Sequence, residues 1–367
     1  MAVPLCNYFN KCGGCTGQHI YYSLQLDNKK NILKKLIGFS EIKVFSDKEY
    51  FYRNRMDMIF TNKGIGFRKK GTWYNVIDIE KCVISDEKLN NIISEIRSFF
   101  NDIDYFDIKK QTGTFRYAVI RIANNSSVSF VLNSSSTNLS NAIEKIKEFS
   151  EISHVNNILV TYVKHNSDVS VSDDFFVIKG GEFLSENYLG KNFLFSVQGF
   201  FQNNHIMAEK MHDYVNGLLK NYDTSNYNLL DLYGGVGTFG IINADLFNKV
   251  VIVESAKPCI DAANMNIKNN NIKNAEAVVL DAMYLKKLKI PEKLFVITDP
   301  PRSGMHPKTI LQLKILKPKV IIYVSCNIHQ LAKDLDKFKN YEIKSVALFD
   351  LFPQTNHCEA IIELMMT

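Results

Sequence analysis

Five short apolar runs in the C-terminal half, separated by helical patterns, constrain the fold of this chain more than any other feature. They cover residues 228–233, 250–253, 277–280, 294–298 and 320–324, and lack the polar alternation of a half-solvated strand. Strands buried on both faces and alternating with helices require a parallel sheet covered on both sides. Residues 345–350 and 360–364 are expected to add a hairpin at the sheet edge. An α/β domain of this kind places its chemistry at the carboxyl ends of its strands.

Residues 51–191 read differently. Segments such as Met56-Asp57-Met58-Ile59-Phe60-Thr61 and Tyr117-Ala118-Val119-Ile120-Arg121-Ile122 are rich in β-branched and aromatic residues, as antiparallel strands with one solvated face are. Helical patterns run over 87–100 and 138–149, so this stretch is expected to be an α+β domain. A chain of 367 residues exceeds one ordinary core. The expected division is 1–17 with 51–190, and 18–50 (containing an amphipathic helix over 21–36) with 191–367. The 44 basic and 38 acidic residues leave a net charge of +6, which permits a polyanionic partner without requiring one. No run of eighteen apolar residues suggests a membrane span, and the first residues lack a secretory pattern, so a cytoplasmic location is expected.

Cys6, Cys12 and Cys15 cluster around Gly13-Gly14, with Cys82 far downstream. Three thiols within ten residues suit a metal better than packing, and four thiolates hold either a [4Fe-4S] cluster or zinc. The single C-x2-C pair leans toward iron–sulfur.

The first apolar run opens into Gly234-Gly235-Val236-Gly237, and Glu254 and Asp281 close the next two. A carboxylate at the second strand end can accept both hydroxyls of a ribose, and one at the third can reach an adenine amine. These acids, with a thiol nearby and no dehydrogenase acid–base pair, favour S-adenosylmethionine over NAD. Ser325-Cys326-Asn327 follows the fifth run. A thiol there can add reversibly to an electron-poor ring carbon, provided its pKa is lowered by a helix N-terminus near His329 or by Arg302. Cys259 and Cys358 read as packing residues.

Five motifs together resemble the RNA uracil-C5 methyltransferase family over nearly the full chain: Phe200-Phe201-Gln202-Asn203-Asn204, Leu230-Asp231-Leu232-Tyr233-Gly234-Gly235-Val236-Gly237, Asp299-Pro300-Pro301-Arg302-Ser303-Gly304, Val324-Ser325-Cys326-Asn327 and Phe352-Pro353-Gln354-Thr355-Asn356-His357-Cys358-Glu359. The resemblance implies a Rossmann-like class I methyltransferase domain, with a mostly parallel sheet, beside an α+β RNA-binding domain carrying an Fe-S site. It implies that Cys326 attacks carbon 6 of a uracil, that carbon 5 is then methylated, and that Glu359 removes the carbon 5 proton so the adduct collapses. Arg302 would support the thiolate or the uracil carbonyl. Asp299 and Gln202 would hold the flipped base or the donor, and Tyr233, Gly235, Thr238, Glu254 and Asp281 the S-adenosylmethionine. Cys6, Cys12, Cys15 and Cys82 would hold a [4Fe-4S] cluster, as in members bearing one. The N-terminal OB-like (TRAM) domain that many members carry is not expected here, since Cys6 stands almost at the start. The expected substrate is structured RNA, foremost the tRNA T-loop uridine at position 54, with a 23S rRNA uridine as the alternative and DNA not expected. The protein is expected to act as a monomer. A reading of another class is a non-catalytic Fe–S RNA-binding protein. Arg53, Arg55, Arg68, Lys69, Lys70, Arg116 and Arg121, interleaved with Tyr52, Phe67 and Tyr117, are the expected phosphate and stacking contacts.

Overall fold

The computed structural model describes residues 1–290 and 292–367, which form two compact units. The first comprises Met1–Tyr22, Lys48–Ser185 and Ser196–Asn204; the second comprises Ser23–Asp47, Glu186–Phe195 and His205–Thr367. Residues 196–204, expected with the methyltransferase domain, thus pack in the first unit, and Gln202 goes with them. Among the described residues no helix is long and apolar enough to cross a membrane.

Helix α1 (Tyr22–Ile37), apart from its first residue, and strand β1 (Ile42–Phe45) belong to the second unit. The first unit is a seven-stranded sheet of β2 (Arg55–Thr61), β3 (Gly64–Arg68), β4 (Val76–Asp78), β5 (Phe115–Ile122), β6 (Ser126–Asn133), β7 (Asn157–Val163) and β8 (Phe175–Lys179), in the order β4-β3-β2-β5-β6-β7-β8. Two helices pack with it, α2 (Glu87–Phe99) and α3 (Leu139–Ile152). All pairings are antiparallel except β6 with β7, which α3 connects as a crossover. The alternation of β2 turns Met56, Met58 and Phe60 inward, where Phe60 meets Phe100, Phe115 and Phe130 at centroid distances of 5.4–6.3 Å. The Asp86 carboxylate caps α2 by accepting the Lys88 N–H.

Beyond the ribbon of β9 (Phe183–Tyr188) and β10 (Lys191–Ser196), the chain builds α4 (His205–Lys220) and then alternates as expected. The elements are β11 (Asn228–Leu232), α5 (Thr238–Ile242), β12 (Lys249–Glu254), α6 (Lys257–Asn269), β13 (Ala275–Val279), β14 (Leu294–Thr298), α7 (Pro307–Leu316), β15 (Val320–Ser325), α8 (Ile328–Leu335), β16 (Tyr341–Phe349) and β17 (Glu359–Met366). The sheet order β1-β16-β17-β15-β14-β11-β12-β13 reverses direction between β11 and β14, the place where doubly wound sheets leave a ligand crevice. The terminal hairpin is not at the edge. β17 is inserted antiparallel between β15 and β16, and β1, unforeseen in the sequence, pairs parallel with β16 outside it. Helix α1 is fastened to the segment ahead of β17 by Lys29, whose ammonium meets the Asp350 carboxylate at 2.7 Å with both side chains buried, and by Gln25, whose side-chain amide donates to Gln354.

Candidate active site

The insertion of β17 decides what faces the thiol. Ser325 pairs with Ala360 at the end of the antiparallel β15–β17 ladder; Cys326 follows Ser325 and Glu359 precedes Ala360, so the thiol and the carboxyl flank the same end of that ladder, and the thiol feels the charge of Glu359. Glu359 is buried at 4% exposure, and Cys326 is half-buried in the turn before α8. Asn327 fixes that turn. Its side-chain oxygen accepts the Gln330 N–H at 3.3 Å as the helix cap, and its amide donates to the Arg302 carbonyl at 2.9 Å. The thiol turn and the Asp299–Arg302 loop are therefore one hydrogen-bonded piece.

Asp334, buried under that loop, holds it in place by accepting the Met305 N–H at 2.9 Å and the Tyr323 hydroxyl at 2.8 Å. Gly304 sits at φ +78°, and a Cβ there would stand 2.5 Å from the Asp334 carboxylate, so the sharp return of the loop needs glycine.

Electrostatically, Cys326, Glu359, Asp299 and Arg302 form one group. Burial pushes the Cys326 thiol up to about 11, the charges of Glu359 and Asp299 add to this, and Arg302 only partly opposes them. Burial first, then Asp299, holds the Glu359 carboxyl well above its usual range against the pull of Arg302. Burial alone raises Asp299 to about 7. The expectation of a lowered thiol pKa is thus corrected: one exposed guanidinium does not outweigh desolvation and two carboxyls.

Along β11 and β12 lies a second group. The loop after β11 passes so close to β12 that a Cβ on Gly234 would meet the Ile252 side chain at 2.6 Å, and one on Gly240 would meet it at 2.8 Å. Asp231, which the sequence reading passed over because it lies inside an apolar run, is buried beneath this loop. Its Oδ2 accepts the Gly240 N–H at 2.8 Å, its Oδ1 has no hydrogen-bond partner, and burial lifts it to about 7, with Asp299 and Glu254 adding to the rise. Glu254 turns back on its own strand end, accepting the N–H groups of Ser255 at 2.7 Å and Ala256 at 2.9 Å, and receives the Gly235 N–H at 3.3 Å. Around Gly235 itself, at φ +54°, there is open space. Thr238 opens α5, partly buried. Tyr233 faces the start of α7, near Thr309 and His306, and burial raises its phenol. Asp281 is exposed and caps the turn after β13 by accepting the Met283 N–H at 2.9 Å.

In the first unit, Cys6, Cys12, Cys15 and Cys82 are all partly buried. Burial raises the first three thiols, Cys15 to about 12, and each also feels the charge of Cys82. The Gly14 N–H points at the Cys12 sulfur at 3.4 Å. The four thiols therefore converge. Among the described residues, however, no three His, Cys, Asp or Glu side chains are gathered tightly enough to hold a metal ion, so the expected four-ligand site is a convergence rather than a closed cage.

Most of the expected RNA contacts are committed elsewhere. Arg116 is buried and donates to the carbonyls of Lys164 and His165, and Arg121 is buried and donates to Gly199. Arg53 donates to the Arg55 carbonyl at 2.9 Å, Arg55 grips Asp57 in bidentate fashion, and Arg68 pairs with Asp168 at 2.8 Å. Tyr52 and Tyr117 are core residues, and Phe67 packs against the core partly buried. Lys69 and Lys70 remain exposed.

The sequence model of the tRNA (uracil-5-)-methyltransferase family matches residues 21–366. A tRNA (uracil(54)-C(5))-methyltransferase of Pyrococcus abyssi is 34% identical over 99% of this chain and 86% of its own length. An uncharacterized RNA methyltransferase of Caldanaerobacter subterraneus is 34% identical over 97% of this chain and 83% of its own. The crystal structure of the Pyrococcus abyssi tRNA (uracil-54, C5)-methyltransferase in complex with S-adenosyl-L-homocysteine superposes with a TM-score of 0.81 at 32% identity, covering 96% of this chain and 86% of that one.

Proposed function

The chain belongs to the tRNA (uracil-5-)-methyltransferase family, and from that premise we propose that it methylates carbon 5 of uridine 54 in tRNA through a covalent adduct between Cys326 and the base. The observation that carries the reading is Cys326 and the buried Glu359 flanking one end of the β15–β17 ladder, with Asp299 and Arg302 in the same electrostatic group.

Uracil carbon 5 becomes nucleophilic only when something adds to carbon 6. The Cys326 sulfur forms that bond, the electron pair of the 5,6 double bond shifts toward carbon 5 and the 4-carbonyl, and the thiol proton passes to a neighbouring carboxylate or to solvent. S-adenosylmethionine, when bound, would supply an electrophilic methyl carbon: the electron pair at carbon 5 would bond to it as its bond to the sulfonium sulfur breaks, releasing S-adenosylhomocysteine. Glu359 then takes the carbon 5 proton, the double bond re-forms, and the carbon 6–sulfur bond breaks to release Cys326. A carboxyl whose charged form is disfavoured by burial is a strong base once ionised, which suits Glu359 to this proton. Arg302 lies where it opposes the charge on both the thiolate and the carboxylate, and Asp299, raised to about 7, hydrogen-bonds the base or the donor in either protonation state. The unpartnered Asp231 Oδ1 and the open space around Gly235 fit a donor carrying an ammonium group, with Tyr233, Thr238, Glu254 and Asp281 around it.

The convergence of Cys6, Cys12, Cys15 and Cys82 supports a [4Fe-4S] cluster that would draw the four together, its irons supplying the positive charge that the three thiols raised by burial need in order to ionise. Iron and sulfide analysis of anaerobically purified protein, with Cys15→Ser as the control, checks this.

The deciding assay is labelled methyl transfer to unmodified tRNA and to rRNA fragments in parallel, with the product mapped. Label at uridine 54 supports the reading, and label confined to rRNA overturns the target. Cys326→Ala should bind RNA and transfer nothing; transfer by that variant would remove the covalent route.

A further inference from the structure

The chain has one tryptophan, and the fold leaves it in solvent. Trp73 is 59% exposed on the connection between β3 and β4, and Tyr74 beside it is 37% exposed. The two rings meet edge to face at 5.5 Å and 80°, and the Lys109 ammonium lies 3.5 Å from the centre of the Tyr74 ring. A single exposed aromatic is ordinary on a protein surface. This one stands on a braced loop. The Lys69 N–H donates to the Asn75 carbonyl at 2.8 Å, the Thr72 N–H to Lys69 at 3.0 Å, and the Lys70 N–H to Lys11 at 2.8 Å. Cys12 also bridges to Lys69, so the loop rests on the thiol-bearing segment.

The surrounding charge has one sign. Residues 69–75 contain two lysines and no acid, and Lys11, Lys69, Lys70, Lys109 and Lys110 are exposed. The nearby Asp107 is spent internally, its carboxylate accepting the N–H groups of Lys109 at 2.9 Å and Lys110 at 3.1 Å. Flat rings held out by a braced loop among exposed lysines, of which Lys110 pairs with Asp107 at 3.9 Å and Lys109 lies over the Tyr74 ring, match one chemistry, an unpaired nucleobase with its flanking phosphates.

We propose that Trp73, backed by Tyr74 and flanked by Lys69, Lys70 and Lys109, is a stacking platform for an unpaired nucleotide of the RNA substrate. This rests on the RNA methyltransferase reading and adds a preference: RNAs with splayed loop bases bind better than blunt duplex of equal charge. The arginines singled out in the sequence would then matter less than a tryptophan it did not mark.

Because Trp73 has no other tryptophan beside it in the sequence, its fluorescence reports the contact in the intact protein. Titration with an unmodified tRNA transcript should quench it, and a blunt RNA duplex should not. Trp73→Ala should weaken tRNA binding about 5- to 100-fold, the range one stacked base contributes, and raise KM far more than it lowers kcat. Trp73→Phe, which keeps a ring, should stay within about threefold of wild type, as should Ile152→Ala, an exposed apolar residue elsewhere in the same unit. Lys69→Gln with Lys70→Gln should lower the salt dependence of log Kd by about 1 to 2. Saturating tRNA without quenching, or a Trp73→Ala variant with wild-type affinity, overturns the platform while leaving the methyltransferase reading intact. A loss seen only in the lysine variant also overturns it, leaving a purely electrostatic contact. Failure of the wild-type protein to bind any of these RNAs defeats the platform and the reading beneath it.

Discussion

At the residue scale, Cys326 and the nearby Glu359 are both pushed toward their neutral forms by burial, and that has measurable consequences. With its thiol pushed up to about 11, Cys326 in RNA-free protein should react with iodoacetamide about tenfold faster per pH unit from neutral pH upward. Mass spectrometry of the Cys326 peptide measures this, and a plateau near pH 7 would show a preformed thiolate. Glu359→Gln should strand the methylated adduct, giving a protein–RNA band that survives denaturation; only free RNA on that gel would count against Glu359 as the base. Cys326 and Glu359 were legible because each sits in a short distinctive motif. Asp231 was not, because a carboxyl inside an apolar strand reads as punctuation until its neighbours are known. The arginines of β5 misled for a related reason. A sequence shows a guanidinium but not the backbone carbonyls that occupy it, as those of Lys164 and His165 occupy Arg116.

At the scale of elements, the alternation of apolar runs and helices sufficed to foresee the parallel strands, because a strand buried on both faces has no polar position to confuse it. Placing the last hairpin at the edge was wrong, and the signal against it was present: residues 360–362 of β17 are apolar at successive positions and buried on both faces, which an edge strand would not be. β1 escaped notice because four residues with only Ile42 buried carry too little pattern. Helix α1 matters to the site through Lys29, whose buried pair with Asp350 steadies the segment leading into Glu359. Lys29→Ala should cost about 3 kcal/mol by leaving that carboxylate buried beside a lost ammonium, read as a lower urea midpoint of the second unit. Replacing both partners with apolar residues (Lys29→Met with Asp350→Leu) should recover much of the loss. Equal midpoints for the single and double variants would place the damage in packing instead of charge.

At the scale of the whole molecule, the buried carboxyls give stability a pH dependence. Asp231 and Asp299 titrate near 7 in the folded protein, against about 4 in an unfolded chain. Between those values the folded state keeps protons that the unfolded state has released, so their contribution is largest at low pH and lost as pH rises through about 7. His212, buried and pushed down to about 3, works oppositely, destabilising the fold as pH falls below about 6.5. The two effects oppose each other in mild acid, and above it only the carboxyls act. The thermal midpoint should therefore fall between pH 6.5 and 8, with a shallower fall in Asp299→Asn; an unchanged slope would mean Asp299 ionises freely.

Nothing in Phe200-Phe201-Gln202 marks which core receives residues 196–204. The insertion of β17 between β15 and β16 has a further consequence, for biosynthesis. A nascent chain halted before Glu359 has every other strand of the catalytic sheet but a gap in its middle, with two unsatisfied backbone edges facing each other. The residue proposed to close the reaction cycle opens the strand that closes the sheet, so a truncated product would lack both together. Such a product would bind its RNA irreversibly through Cys326 only if it could first assemble around that gap, and the architecture gives cellular proteolysis the earlier opportunity.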